Sequence, residues 1–260
     1  MDWSAIFDTV KSVRTLLKIS FWIEKITYIS NFYFRSPVRV IVFGESGTGK
    51  TQFINSLLSN NFTKGRTRLT ERKRMVLNNG RKILFFDTPG HQTLKEQRYK
   101  LGEFISQKKI AGIINVVSFG FNESDTADGI NIFKVGTDEV KEEYLRENRK
   151  REISQLDDWI RYINAENKVK WIITIVNKAD IWYENKSNVI TYYENGDYAK
   201  AIAGIKSCCA LYTYLYCSVI SPFCDRPMTL SMGERQKKEM CTILISELIN
   251  IVKTNGKIEV

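Results

Sequence analysis

The apolar positions of this chain fall into six short runs set between polar stretches of helical or turn-forming character. Residues 38–43, 110–119 and 169–176 are nearly continuous runs of apolar and β-branched side chains, the pattern of strands buried on both faces of a parallel sheet. Residues 72–77 and 82–86 flank Asn78-Asn79-Gly80-Arg81, and Asn-Gly between two β-like runs predicts a hairpin. Residues 212–217 read as a last strand. Apolar spacing of three and four predicts helices over 52–58, 94–109, 138–163, 198–209 and 230–252. In the helix over 138–163 the stripe is incomplete, carried by Val140, Tyr144, Leu156, Ile160 and Ile163, with Arg149-Lys150-Arg151 on a solvated face. In the closing helix Met240, Ile243, Leu244, Leu248, Ile249 and Val252 are expected to face inward. The polar stretches 60–70, 120–137 and most of 181–197 read as loops.

Residues 1–36 precede the first strand. Trp3, Ile6, Phe7, Val10, Val13 and Leu17 recur at helical spacing, and 19–34 are strongly apolar and aromatic but interrupted by Glu24 and Lys25. That segment is too short and too interrupted to span a bilayer, and no small-residue cleavage site follows it. Two readings remain: helices that pack on the domain or on a partner, and an interfacial membrane contact with Trp3, Trp22 and Tyr28 at headgroup depth.

Composition adds two constraints. Hydrophobic residues make up 43% of 260, enough for a sizeable core. Cys208, Cys209, Cys217, Cys224 and Cys241 show no C-x-x-C spacing and the chain has a single His, which argues against zinc and for reduced thiols in a cytoplasmic protein. The net charge of +10 is concentrated: residues 61–110 hold thirteen Lys and Arg against four Asp and Glu. Such a block attracts an acidic protein surface, anionic lipid or RNA.

The candidate chemistry sits where the strands end. After the first run comes Gly44-Glu45-Ser46-Gly47-Thr48-Gly49-Lys50-Thr51, a full match to G-x-x-x-x-G-K-[ST] in a strand–loop–helix setting, with Gln52 continuing into the helix. Its glycines let peptide N–H groups turn inward around phosphate oxygens, Lys50 supplies a point charge, Thr51 offers a hydroxyl to Mg²⁺, and the helix N-terminus favours the anion. The run 82–86 ends in Asp87-Thr88-Pro89-Gly90: a carboxylate suited to a Mg²⁺-bound water and a backbone N–H suited to a terminal phosphate. The run 169–176 delivers Asn177-Lys178-Ala179-Asp180. A carboxylate only accepts hydrogen bonds; guanine presents N1–H and an exocyclic amine to it, whereas adenine presents an acceptor and no amine. Leaving Asp180 unmatched against the wrong base is costly, so the motif points to guanine, with Asn177 on the base's other edge and the Lys178 stem along its face.

With these three motifs in order, residues 38–252 resemble the P-loop GTPases of the translation-factor and Ras-like class. The resemblance implies an α/β fold, a six-stranded mostly parallel sheet with helices on both faces, a GTPase domain over 37–260 behind an N-terminal helical extension over 1–36, and GTP/GDP and Mg²⁺ as ligands. The phosphate loop and its Ile-Asn-Ser-Leu-Leu helix look most like septins and related paraseptin GTPases. By the same resemblance the switch threonine is Thr67 or Thr70, with Thr67 favoured by spacing and ligating Mg²⁺ beside Thr51 and Asp87. His91, following Gly90 as in translational GTPases, would position water, and Ser218 and Val219 stand where relatives hold the base by a backbone N–H. Ser46 beside the γ-phosphate implies slow unaided hydrolysis. The basic residues over 64–82 lie where relatives meet partners, so a protein effector or regulator is expected there. Peripheral membrane contact through 1–36 and homo-oligomerisation are further expectations, and RNA or ribosome association ranks below them because stacking aromatics are sparse in the block.

Overall fold

A computed structural model describes residues 20–21, 23–30, 35–58, 71–77, 80–88, 110–122, 137–166, 169–206, 211–216 and 234–255. Its centre is a six-stranded sheet built from β1 (Val38–Phe43), β2 (Glu71–Val76), β3 (Lys82–Asp87), β4 (Gly112–Val117), β5 (Trp171–Val176) and β6 (Leu211–Tyr216). The spatial order is β2-β3-β1-β4-β5-β6, and every pairing is parallel except the β2–β3 hairpin. The hairpin expected from the Asn-Gly pair is present: Leu77 and Arg81 close it, and Gly80 adopts a left-handed φ of 79°. Edge strand β2 carries exposed Arg72 and Arg74, which blunt an otherwise open hydrogen-bonding edge.

Side-chain alternation along the strands feeds two cores, one on each face. Ile41, Phe43, Leu84, Phe86, Ile113, Val117, Ile172 and Val176 meet residues of α2 (Asp138–Glu166), α4 (Lys186–Glu194) and α5 (Asp197–Lys206), among them Leu145, Leu156, Val189, Tyr193 and Ile202. Val40, Val42, Ile83, Phe85, Ile114, Val116, Trp171, Ile173 and Ile175 meet Phe53 and Ile54 of α1 (Lys50–Leu57) and Leu244, Leu248 and Ile251 of α6 (Glu234–Asn255). Between β5 and α4 lie a single turn of helix, α3 (Ala179–Trp182), and a 3₁₀ turn (Tyr183–Asn185).

Several elements differ from the sequence expectation. The stretch 181–197, read as mostly loop, is almost wholly helical, because Val189 and Tyr193 are fully buried beneath a polar exterior whose periodicity is weak. In α6 Ile243 faces solvent and Ile251 faces the core, a rotation of the inward stripe. In α2 Val140 is exposed and Leu145 is buried, and Arg149 is held against the rings of Phe119 and Tyr192, 4.7 and 5.9 Å from their centroids, rather than solvated. The stripe positions Ile160 and Ile163 and the expected helix over 94–109 have side chains or backbone outside the described residues.

Residues 20–21 and 23–30 are helical, and Phe21, Ile23, Ile26, Tyr28 and Ile29 are exposed on them. The backbone of Tyr28 lies against the Gly80 turn, where a β-carbon on Gly80 would come within 2.3 Å of the Tyr28 carbonyl oxygen. Among the described residues no helix is long and apolar enough to cross a membrane.

Candidate functional site

Parallel pairing sends the C-terminal ends of β1, β3, β4 and β5 to one side of the sheet, and the candidate residues follow those ends. Val42 is in register with Asp87, and Val117 with Val176. The chain crosses from β3 over β1 to β4, so this end also holds the point where strand order reverses, the usual place for a ligand crevice in such sheets.

The phosphate loop turns on Gly44, Gly47 and Gly49, all at positive φ (148°, 77° and 93°). Gly44 is also under steric constraint, since a β-carbon there would sit 2.1 Å from the Val116 carbonyl oxygen. The α1 N-terminus has no side-chain cap, which leaves its first-turn N–H groups directed at whatever the loop encloses. Lys50 is buried and donates from Nζ to the carbonyl oxygens of Gly44 and Glu45 at 2.8 and 2.9 Å. Burial pushes its pKa down to about 8 against the pull of the Asp87 and Glu45 carboxylates. The Thr48 hydroxyl donates to the Glu45 carbonyl at 3.0 Å and stiffens the turn. Ser46 and Gln52 are half-buried at the same loop and helix start.

Thr51 and Asp87 meet here: the threonine hydroxyl donates to Asp87 Oδ2 at 2.6 Å, across a fully buried carboxylate. Thr88 anchors the strand end by donating through its N–H and its hydroxyl to the Val42 carbonyl, at 3.2 and 3.0 Å. A hydroxyl oxygen and a carboxylate oxygen side by side fit a hard cation such as Mg²⁺, which takes one or two protein oxygens and completes its shell with water and phosphate. That donor set is smaller than a cluster of three His, Cys, Asp or Glu side chains, of which there is none among the described residues.

The Asn177-Lys178-Ala179-Asp180 motif, expected to read guanine, is joined to the loop. Asn177 Nδ2 donates to the Thr48 carbonyl at 2.9 Å, so this amide, expected at the base edge, also ties β5 to the phosphate loop. Lys178 is buried at a left-handed φ of 60° and donates from Nζ to the Phe121 carbonyl at 2.6 Å, which holds its stem in place. Asp180 lies buried in the single turn α3, and Trp182 closes that turn by donating to the Asn177 carbonyl at 2.7 Å. Thr67, Thr70, Gly90, His91, Ser218 and Val219 lie outside the described residues.

A further group of polar residues, which sequence reasoning missed, lies beside the motif. Glu152 of α2 is buried and accepts from the N–H groups of Ser118 and Gly120 at 3.0 and 3.2 Å and from the Tyr193 hydroxyl at 3.0 Å. Burial pushes its carboxyl up to about 7, opposed by those hydrogen bonds and reinforced by the charge of Glu45. No sequence signal marks it, because it follows Arg149-Lys150-Arg151 in a charged helix and looks like one more surface residue.

A family model described as 50S ribosome-binding GTPase matches residues 39–178, which takes in the phosphate loop, Asp87 to Gly90, and Asn177 and Lys178 of the third motif. Comparison with curated proteins gives no match. Among solved structures, a chain from the structure of the mammalian SRP receptor aligns over 70% of this chain and 91% of its own, with 16% identity and a TM-score of 0.46.

Proposed function

Because the chain belongs to the 50S ribosome-binding GTPase family, we propose that it is a guanine-nucleotide switch that hydrolyses GTP slowly when unaided and reads out its state through the basic surface around residues 64–82. The contact that supports this best is Thr51 on Asp87 beside buried Lys50, which brings two groups from the helix start after β1 and one from the end of β3 to one point. Lys50 would exchange its loop carbonyls for phosphate oxygens, and the α1 N-terminus and inward N–H groups of the loop would hold the same anion. Thr51 and Asp87 are the residues that would hold Mg²⁺, whose chemistry when bound is to draw charge from phosphate oxygens, with Thr67 or Thr70 reaching the same region. Asp180 would select guanine, and His91 would orient the attacking water.

Purified protein with Mg²⁺ tests this. Wild type is expected to bind GTP and GDP tightly and ATP weakly. Asp180→Asn replaces an acceptor by an amide and should exchange preference for guanine for preference for xanthine, which carries a carbonyl where guanine has its amine. His91→Ala should keep binding and lower turnover. Equal affinity for ATP and GTP would reject the reading. Tight GTP binding with no turnover in any variant would point instead to a septin-like assembly role with structural nucleotide, and oligomer size would then decide.

A second reading, ribosome or RNA association, is favoured by the family's ribosome-binding character together with the basic surplus over 61–110. Co-sedimentation with ribosomes that persists in moderate salt supports it, whereas binding seen at low salt and lost as salt is raised marks non-specific charge attraction. Peripheral membrane contact through 1–36 rests on the exposed apolar residues of the 20–30 helix.

A further inference from the structure

The segment after β4, residues 118–122, is built rather than draped. The N–H groups of Ser118 and Gly120 both donate to Glu152 Oε1, the Phe119 N–H donates to the Tyr193 hydroxyl at 2.8 Å, and that hydroxyl donates on to Glu152 Oε2. The Phe121 N–H turns back on the Ser118 carbonyl at 3.0 Å. Asn148 donates to the Gly120 carbonyl at 2.8 Å, the Ser118 hydroxyl donates to Asn122 Oδ1 at 2.6 Å, and Tyr144 donates to the Asn122 carbonyl at 3.1 Å. Four consecutive N–H groups are thus satisfied, two of them by one buried carboxylate.

A buried carboxylate is an expensive way to cap a loop, since an amide could accept the same N–H groups without desolvating a charge. The loop it holds bears directly on the nucleotide motif. Among the described residues the two non-glycine residues at positive φ are Phe119 (56°) and Lys178 (60°). Strained backbone of this kind persists where surrounding structure over-determines it, and it gathers at functional sites. The Phe121 carbonyl joins the two, since it accepts from Lys178 Nζ at 2.6 Å. That bond ends the Lys178 ammonium on a backbone acceptor whose place is set by the loop.

We propose that Glu152 is a positioning residue for the guanine pocket, acting through the 118–122 loop and the Phe121 carbonyl to hold Lys178 in the pose that receives the base. The proposal rests on the guanine-nucleotide reading above. Tyr193 shares the role by bridging the Phe119 N–H to Glu152, and Asn148 holds the loop from the next turn of α2.

The test uses the full chain and a fluorescent GDP analogue. Glu152→Ala leaves three donors unmatched and is expected to weaken binding about tenfold. Glu152→Gln keeps an oxygen for the two N–H groups and should stay within about threefold of wild type. Lys178→Ala should weaken binding as well, and the double variant Glu152→Ala/Lys178→Ala should be no weaker than Lys178→Ala alone, the non-additivity expected when one residue acts through the other. The ratio of guanine to inosine nucleotide affinity should stay unchanged in these variants, because that ratio is read by Asp180. Additive losses, or wild-type binding by a folded Glu152→Ala, would overturn the proposal.

If Glu152→Ala does not fold, Tyr193→Phe removes the bridging hydroxyl alone; it should weaken binding severalfold, and wild-type binding by it would count against the proposal. Hydrogen exchange without nucleotide gives a separate readout, in which the amides of 118–121 should exchange faster in Glu152→Ala or Tyr193→Phe. Faster exchange in a protein that binds no guanine nucleotide even as wild type would reject the guanine reading, and the pocket role with it, while leaving the pinned loop itself intact. Unchanged exchange with normal wild-type binding would reject the role of Glu152 alone.

Discussion

Lys50 shows how far a single side chain is committed in advance of its ligand. Its pKa is lowered from 10.5 to about 8, first by burial and against the attraction of Asp87 and Glu45. A lowered lysine means that the folded protein binds fewer protons than the unfolded chain between about pH 8 and 10.5, so its contribution to stability is recovered above that window and lost below it. At pH 7 the buried ammonium therefore costs roughly 3 kcal/mol before screening and relaxation reduce it. Lys50→Met is expected to raise the unfolding midpoint of the nucleotide-free protein at pH 7 while abolishing nucleotide binding. Phosphate beside Lys50 would push its pKa back up, so binding near pH 8.5 should take up protons, measurable by calorimetry in buffers of different ionisation enthalpy. Proton release, or none, would contradict the placement of Lys50 on phosphate. The three motifs that hold Lys50, Asp87 and Asp180 were legible in the sequence because backbone approach to an anion and recognition of a base tolerate few residue types. Glu152 was not legible, since its role depends on what α2 packs against.

At the level of elements, strands were easier to find than the helices that cover them. β1, β4 and β5 are buried on both faces, so their apolar runs are continuous and short, whereas 181–197 hides Val189 and Tyr193 within a polar helical stretch. The β4–β5 pair carries a constraint that the sequence did not reveal. Gly112 faces Trp171 in register, and a β-carbon on it would come 2.0 Å from the indole ring. Trp171 is fully buried and Gly112 is paired on both sides, to Val40 of β1 and to Trp171, so neither can retreat. Gly112→Ala should cost about 1–3 kcal/mol, the range for overpacking a tight core. Paired with Trp171→Leu, which opens space, the same substitution should cost less. Denaturant melts of the two single variants and the double variant measure the coupling, and strictly additive losses would show that the contact is relieved elsewhere.

For the whole molecule, the crevice lies where β1, β3, β4 and β5 end together, and closing it should couple these strands to the ligand. A nucleotide that binds only the folded state adds about 2.7 kcal/mol at one hundred times its dissociation constant. GDP with Mg²⁺ at that excess should shift the denaturant midpoint accordingly, while ATP at the same concentration should shift it little. Equal shifts by both would place recognition on the phosphates alone and remove the role assigned to Asp180. The order of the motifs and the continuous apolar strand runs were enough to determine the fold class, the sheet and membership of a GTPase family, because each depends on local patterns that few sequences satisfy. Only the tertiary structure decided that Asn177 is tied to the Thr48 carbonyl, that Lys178 ends on the Phe121 carbonyl, and that Glu152 and Tyr193 hold that loop. Those bonds join residues 129, 57, 34 and 41 positions apart, and pairings at such separations come from how strands pair and helices pack on the sheet, which no local pattern of side chains encodes.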